Sequence, residues 1–259
     1  MAGYIHGDTD PREVARLEKQ ARFCAPMTLD GLAAAPGMRV LDLATGVGAM
    51  AGEIAARWPG ARLTGVDLSM NQLRTARANH PGIHYAQADG KRLPFRDGTF
   101  ERVHCSWMLE HVPRPVEVLR EVRRVLTANG SAHFVEVDNA SLRTTPPCPE
   151  VDRVMAALRA AQERAGGDPY VGRRLAALFA EAGFTRVAVR PADLHGDHRD
   201  PSQFRAIVEE FAEIFESVTE ALGPEQASLP QRAAKQIRGL LDQPGADIYY
   251  RGFAAVAAR

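Results

Sequence analysis

Apolar positions gather in short runs between residues 38 and 138, and each run stops at a polar or glycine position: "MRVLDLA", "ARLTGVDLS", "GIHYAQAD", "FERVHCSW" and "SAHFVEVD". Runs of this length predict strands. Between them the apolar spacing lengthens to three and four residues. That spacing predicts helices over 48–57, over 69–79 with Ser69 as N-cap, and over 115–126 with Val116, Leu119, Val122, Val125 and Leu126 on one face. An earlier helix starts at Asp10-Pro11 and carries Val14, Leu17, Ala21 and Phe23 or Cys24 as an approximate stripe. Strands alternating with helices imply a parallel sheet wrapped by helices.

The alternation breaks after Asp138. "SLRTTPPCPE" reads as a proline-stiffened loop, followed by helices near 150–165 and 172–182 and a strand "TRVAVRP". A long helix over 202–222 sets Phe204, Ile207, Val208, Phe211, Ile214, Phe215 and Val218 at helical spacing, with glutamates mostly on the other faces. The final "DIYYRGFAAVAAR" reads as one last strand, and the sequence shows no internal repeat.

Composition narrows the class. A chain of 259 residues, 45% hydrophobic, has enough material for one domain with insertions. The 32 Lys and Arg balance the 32 Asp and Glu, so no net field draws nucleic acid or an anionic membrane. No apolar run approaches the roughly 20 residues of a bilayer span. Cys24, Cys105 and Cys148 are odd in number and widely spaced, which argues against a disulfide framework and makes a reducing cytoplasm the expected compartment. The start "MAGYIHGDTD" lacks the basic-then-apolar pattern of an export signal.

Gly46-Val47-Gly48-Ala49-Met50-Ala51 satisfies G-x-G-x-x-G/A, and Asp67 follows about 20 residues on, so the turn alone suggests NAD. Ligands of open α/β sheets bind beyond the carboxyl ends of the strands. The strand-end residues here are Asp42 with the glycine turn, Asp67, Asp89, Ser106 with Trp107, and Asp138. Asp67 suits the ribose of NAD or of an adenosine ligand equally. Asp89, just before Gly90, offers an acceptor for an adenine amino group. A carboxylate at Asp42 favours a ligand with ammonium and sulfonium charges over a pyrophosphate.

"VLDLATGVG", "GVDLS", "ADGKRLPFRDGTFERV" and "WMLEHVPRPVEVLREVRRVL" resemble successive motifs of the class I S-adenosylmethionine-dependent methyltransferases, over roughly residues 36–140. "YIHG" with "RLEKQ" resembles the N-terminal lid helix of small-molecule members related to the quinone-biosynthesis methyltransferases. The resemblance implies an α/β, Rossmann-like, seven-stranded, mostly parallel sheet with helices on both faces, a reversed last hairpin and a helical cap. Lid helices would occupy 1–35, the cofactor-binding core 36–140, and the rest of the same domain 141–259, with a cap insert at about 195–246. It also implies that Ala44 (where the family usually has glycine), Gly46 and Gly48 let backbone approach the methionine moiety of S-adenosylmethionine. Asp67 and Leu68 would take the ribose, Asp89 and Gly90 the adenine, and Ser106 the amino-acid end, with Tyr4 and Gln20 closing from the lid.

Several residues carry two readings. His111 in "LEHV" is a general base for a hydroxyl or amine acceptor, or a residue that orients the loop before Pro113. Trp107 walls the pocket or meets a sulfonium through its ring face. His6 is a substrate contact of the lid or part of a frayed terminus. Phe211 and Phe215 roof an acceptor site or pack the core. Glu136 and Asp138 orient an acceptor or cap a loop. His104 and His133 read as structural, Tyr249 and Tyr250 place at most one ring toward the site, and "HGDH" at 195–198 lacks the further cluster a metal needs. The expected function is methyl transfer from S-adenosylmethionine to a small, fairly apolar acceptor of polyketide, aromatic or isoprenoid type. The alternatives are a protein that binds the cofactor without transferring methyl, and an NAD-dependent oxidoreductase. The expected partner is a small molecule, not nucleic acid or a membrane, and the sequence leaves a homodimer open.

Overall fold

The apolar runs become strands β1 (Arg39–Leu43), β2 (Arg62–Asp67), β3 (His84–Gln87), β4 (Phe100–Ser106) and β5 (Leu126–Val137) in a computed structural model that describes residues 11–218, 222 and 226–259. The intervening stretches form α1 (Pro11–Thr28), α2 (Ala49–Arg57), α3 (Met70–Asn79) and α4 (Pro115–Val125). Ser69 caps α3 as expected, its hydroxyl accepting the Gln72 N–H. The main sheet has the order β3-β2-β1-β4-β5-β10-β7, where β7 is Arg186–Pro191 and β10 is Gly252–Ala258. Pairs among β1 to β5 are parallel, and β10 runs antiparallel to both β5 and β7, giving the reversed end.

Parallel strands covered on both faces become apolar throughout, and β1 shows this: Val40, Leu41 and Leu43 are all buried. Leu41 and Leu43 join a core with Val122 and Val125 of α4 and with Leu178 and Phe179 of α6 (Leu175–Glu181). Val40 joins a second core with Ala21 and Ala25 of α1 and Ile54 of α2. His104 and His133 sit side by side in the β4–β5 register, fully buried, with their Nδ1 atoms 3.1 Å apart. Burial pushes both imidazoles down, His133 to about 4, so the pair is neutral near pH 7.

The cap gathers helices from both sides of β7. It takes α5 (Pro149–Arg164) from before β7, and α7 (Pro201–Ser217) and α8 (Leu229–Arg238) from after it. These helices share a third core that includes Met155, Leu158, Phe204, Ile207, Phe215, Ala233 and Ile237. The expected helix over 202–222 is described to Ser217; residues 219–221 lie outside the described residues. The final stretch is two strands, not one. β9 (Asp247–Tyr250) pairs with β6 (Arg143–Thr145) and β8 (Leu194–Asp197) in a separate three-stranded sheet, and after the single residue Arg251 the chain enters the main sheet as β10. The "HGDH" stretch supplies β8 and its turn: His198 Nε2 lies 2.8 Å from the Gln243 carbonyl, and no His, Cys, Asp and Glu cluster fit for a metal occurs among the described residues. No helix of the described residues is long and apolar enough to cross a membrane.

Candidate active site

Three consecutive turns beyond the sheet's carboxyl edge bound one side of a cavity of about 990 Å³. The turn after β1 is bent by positive φ at Ala44 (58°), Gly46 (55°) and Gly48 (81°). Ala44 therefore holds a conformation that favours glycine. Ala44 and Gly46 line the cavity, whereas Gly48 does not: a Cβ there would come within 2.8 Å of Tyr85 Oη and 3.0 Å of Ala76 Cβ, so this glycine serves helix packing. Asp67 braces the turn, its Oδ2 accepting the Gly46 N–H at 2.9 Å and its Oδ1 the Ser69 N–H at 2.8 Å. Leu68, Asp89, Gly90 and Ser106 also line the cavity, and Leu68 is an exposed large apolar side chain.

Asp42 is placed differently from its expected role. It is buried outside the cavity lining, its Oδ2 accepts the Thr45 hydroxyl at 2.6 Å, and burial pushes its carboxyl up to about 7. The cavity's own charges carry the preference instead. Its carboxylates are Asp67, Asp89, Glu110 and Glu210, while its basic lining residues among the described residues are Arg16 and His111. A cationic ligand is favoured there over a pyrophosphate.

The loop after β4 is held from beneath. Glu136 Oε1 accepts the Met108 and Leu109 N–H groups at 3.0 and 2.8 Å, and burial with nearby Glu110 pushes this carboxyl up to about 8. Trp107, at φ 55°, donates its N–H to the Val135 carbonyl and sets its side chain on the cavity wall. Glu110 and His111 follow in a short 3₁₀ turn. Glu110 Oε2 accepts from Asn139 Nδ2 and Gln162 Nε2, both at 2.7 Å; Gln162 Oε1 accepts from the same Asn139 amide at 3.0 Å, and the Tyr250 hydroxyl donates to Asn139 Oδ1. His111 Nε2 lies 3.8 Å from Glu110 Oε1, and the ring is 34% exposed.

The opposite wall joins α1 to α7. Buried Arg16 donates to Glu13 at 2.7 and 2.8 Å and to Glu210 at 2.6 Å, and Gln20 Nε2 donates to Glu210 at 2.8 Å. Burial pushes Glu210 up to about 7. Gln20 lines the cavity, while Tyr4 and His6 lie outside the described residues. Phe211 lines the cavity and meets the Tyr250 ring edge-on at 5.0 Å. Phe215 is a correction: one turn further along, it is fully buried in the cap core and absent from the lining. Four residues with cavity roles were missed in the sequence: Glu110, Asn139, Gln162 and Arg16. Glu110 stood inside the "LEHV" quartet and Arg16 opens "RLEKQ"; Asn139 and Gln162 gain their places only through long-range packing.

Residues 41–134 match the family described as a methyltransferase domain. A 37.1 kDa uncharacterised protein of transposon TN4556 from Streptomyces fradiae is 33% identical over 200 residues, covering 74% of this chain and 57% of that protein. A ubiquinone/menaquinone biosynthesis C-methyltransferase of Desulfotalea psychrophila is 35% identical over 170 residues, covering 58% of this chain and 66% of the relative. The chain thus spans less than two thirds of both relatives. Among solved structures, phosphoethanolamine N-methyltransferase 2 of Haemonchus contortus, in complex with S-adenosylhomocysteine, shares the fold at TM-score 0.60 and 17% identity, over 92% of this chain and 53% of that one.

Proposed function

We propose that the chain is a class I S-adenosylmethionine-dependent methyltransferase, a reading supported by the methyltransferase-domain match over residues 41–134, and that it transfers the methyl group of S-adenosylmethionine to a small, largely apolar acceptor. The observation that carries this reading is the single cavity joining the strand-end carboxylates Asp67 and Asp89 to a wall of Trp107, Met155, Leu158 and Phe211. The residues present fit the cofactor. Asp67 and Asp89 are acceptors for ribose hydroxyls and an adenine amino group, Leu68 and Gly90 flank them, and the bent backbone at Ala44 and Gly46 leaves room for the methionine portion beside Ser106. When bound, S-adenosylmethionine supplies an activated methyl on a sulfonium.

The chain's own contribution is alignment and exclusion of water, which together account for much of the rate of an in-line displacement. Trp107 and Phe211 keep the acceptor against the cofactor half, and α1, tied to α7 through Arg16, closes the cavity. His111 lines the cavity with an exposed edge, which suits it to pass a proton to solvent. A quinone precursor, polyketide or other lipophilic aromatic fits the apolar wall; the identity of one relative as a quinone-biosynthesis methyltransferase supports the aromatic choice. The test incubates the protein with methyl-labelled S-adenosylmethionine and extracted lipophilic metabolites. Label in an extracted product supports the proposal. S-adenosylhomocysteine binding without any labelled product would favour a cofactor-binding protein that transfers nothing.

A further inference from the structure

We propose that Glu110 receives the hydrogen-bearing nucleophile of the acceptor, which makes the acceptor a hydroxyl or N–H compound; the inference rests on the methyltransferase reading above. Glu110 is 7% exposed and lies in the cavity wall. Its two oxygens differ. Oε2 is pinned by the Asn139 and Gln162 amides, and Asn139 is itself fixed by the Tyr250 hydroxyl and by Arg159, which donates to the Asn139 carbonyl at 2.9 Å. The carboxylate cannot turn without giving up two hydrogen bonds.

Oε1 has no hydrogen bond among the described residues. His111 Nε2 is 3.8 Å away, too far for one. A carboxylate oxygen without a protein donor is open to a donor on a ligand, and the partners of Oε2 hold the carboxyl group in place. The cap side of the cavity also presents Met155, Leu158, Leu194, Phe211 and Ile214, with the Glu210 carboxylate held by Arg16 and Gln20. What complements this wall is an apolar body carrying one donor aimed at Oε1. An ether or carbonyl oxygen would meet lone pairs with lone pairs. Asn139 and Gln162 are positioning residues, because they act only through the carboxylate.

In the transfer, the lone pair of the acceptor's oxygen or nitrogen forms the new bond to the methyl carbon while the carbon–sulfur pair withdraws to sulfur. The acceptor's proton passes to Glu110 Oε1 and from there to solvent, so charge and atoms balance with no further reactant.

The test titrates 2-naphthol and its methyl ether, 2-methoxynaphthalene, into the protein saturated with S-adenosylhomocysteine. The naphthol is expected to bind at least about tenfold more tightly than the ether, the factor for one hydrogen bond to a charged group. In Glu110→Gln the carboxamide must turn its oxygen to the Asn139 and Gln162 donors and present its NH₂ to the cavity. The preference should then vanish or invert, with S-adenosylhomocysteine affinity changed by less than about twofold, since that ligand touches other elements. Equal affinities in the parent protein, failure of both probes to bind it, or a preference that survives Glu110→Gln overturns the inference. If the variant does not fold, the comparison in the parent still decides. Absence of S-adenosylhomocysteine binding would instead defeat the methyltransferase reading itself.

Discussion

Alanine in place of Phe215 and of Phe211 separates the interior of the cap from the wall of its cavity. Phe215 is fully buried and packs in the cap core, so its truncation leaves a closed void; the cost for a buried phenyl group is about 3 to 5 kcal/mol. A chain of this length shifts by about 2 °C per kcal/mol, so Tm should fall by about 6 to 10 °C. No cavity wall changes, and binding of both S-adenosylhomocysteine and 2-naphthol should stay within twofold, roughly the scatter of such measurements. Phe211 is 4% exposed and already borders open space, so its loss enlarges an existing cavity. The cost there is the transfer of one ring plus its edge-on contact with Tyr250, about 2 to 3 kcal/mol. Naphthol affinity should fall about tenfold. Scanning calorimetry and isothermal titration read both quantities on the same preparations. The division between the two rings is refuted if Phe215→Ala weakens naphthol binding as much as Phe211→Ala does, or if Phe211→Ala lowers Tm and leaves naphthol binding untouched.

Asp67→Ala should weaken S-adenosylhomocysteine by about tenfold or more, through the lost ribose acceptor and the released Gly46 N–H; unchanged calorimetric affinity would remove Asp67 from the cofactor site. Ala44→Gly relieves a left-handed alanine, a gain offset in part by the entropy of a new glycine, and should stabilise the fold by roughly 0.5 to 1 kcal/mol in urea titration. Asp42, Glu136 and Glu210 all have carboxyl groups raised in the folded state, to about 7, 8 and 7, so the folded protein holds their protons longer than the unfolded chain. Their stabilisation is complete below the unfolded carboxyl range and is lost as pH rises through 7 to 8. The lowered His104 and His133 act oppositely, destabilising the fold as pH falls below about 6.5, and they are silent above it. Tm should therefore fall between pH 6.5 and 8.5, and Glu136→Gln should flatten the upper part of that decline.

The α/β core was readable because its signals are local. Buried runs such as "VLDL", the Ser69 cap and the glycine turn are each specified within a few residues. The split at Arg251 was not readable, because "DIYY" and "GFAAVAA" both alternate as strands and differ only in their partners, β6 and β8 for one, β5 and β7 for the other. Phe211 and Phe215 lie four positions apart, hence on one helical stripe, and no periodicity separates a residue facing a cavity from one facing a core. Gly48 belonged to the fingerprint by spacing, yet Tyr85 and Ala76 explain it better than a ligand does. Within "LEHV" the imidazole drew notice through its usual chemistry, whereas the clamp on the neighbouring carboxylate is built from residues 139, 162 and 250.

The single residue between β9 and β10 restricts how the molecule can breathe. One residue spans at most about 3.6 Å, and Ala192-Asp193 makes a second short joint, between β7 and β8. A hinge swing of the whole cap would have to tear ladder hydrogen bonds at both seams. α1 belongs to neither sheet, but Ala21 and Ala25 pack it into the core beside α2, and it holds α7 through side-chain bonds from Arg16, Lys19 and Gln20. The cap is therefore a fixed jamb of the cavity, and ligands have to exchange without a swing of the cap as a whole.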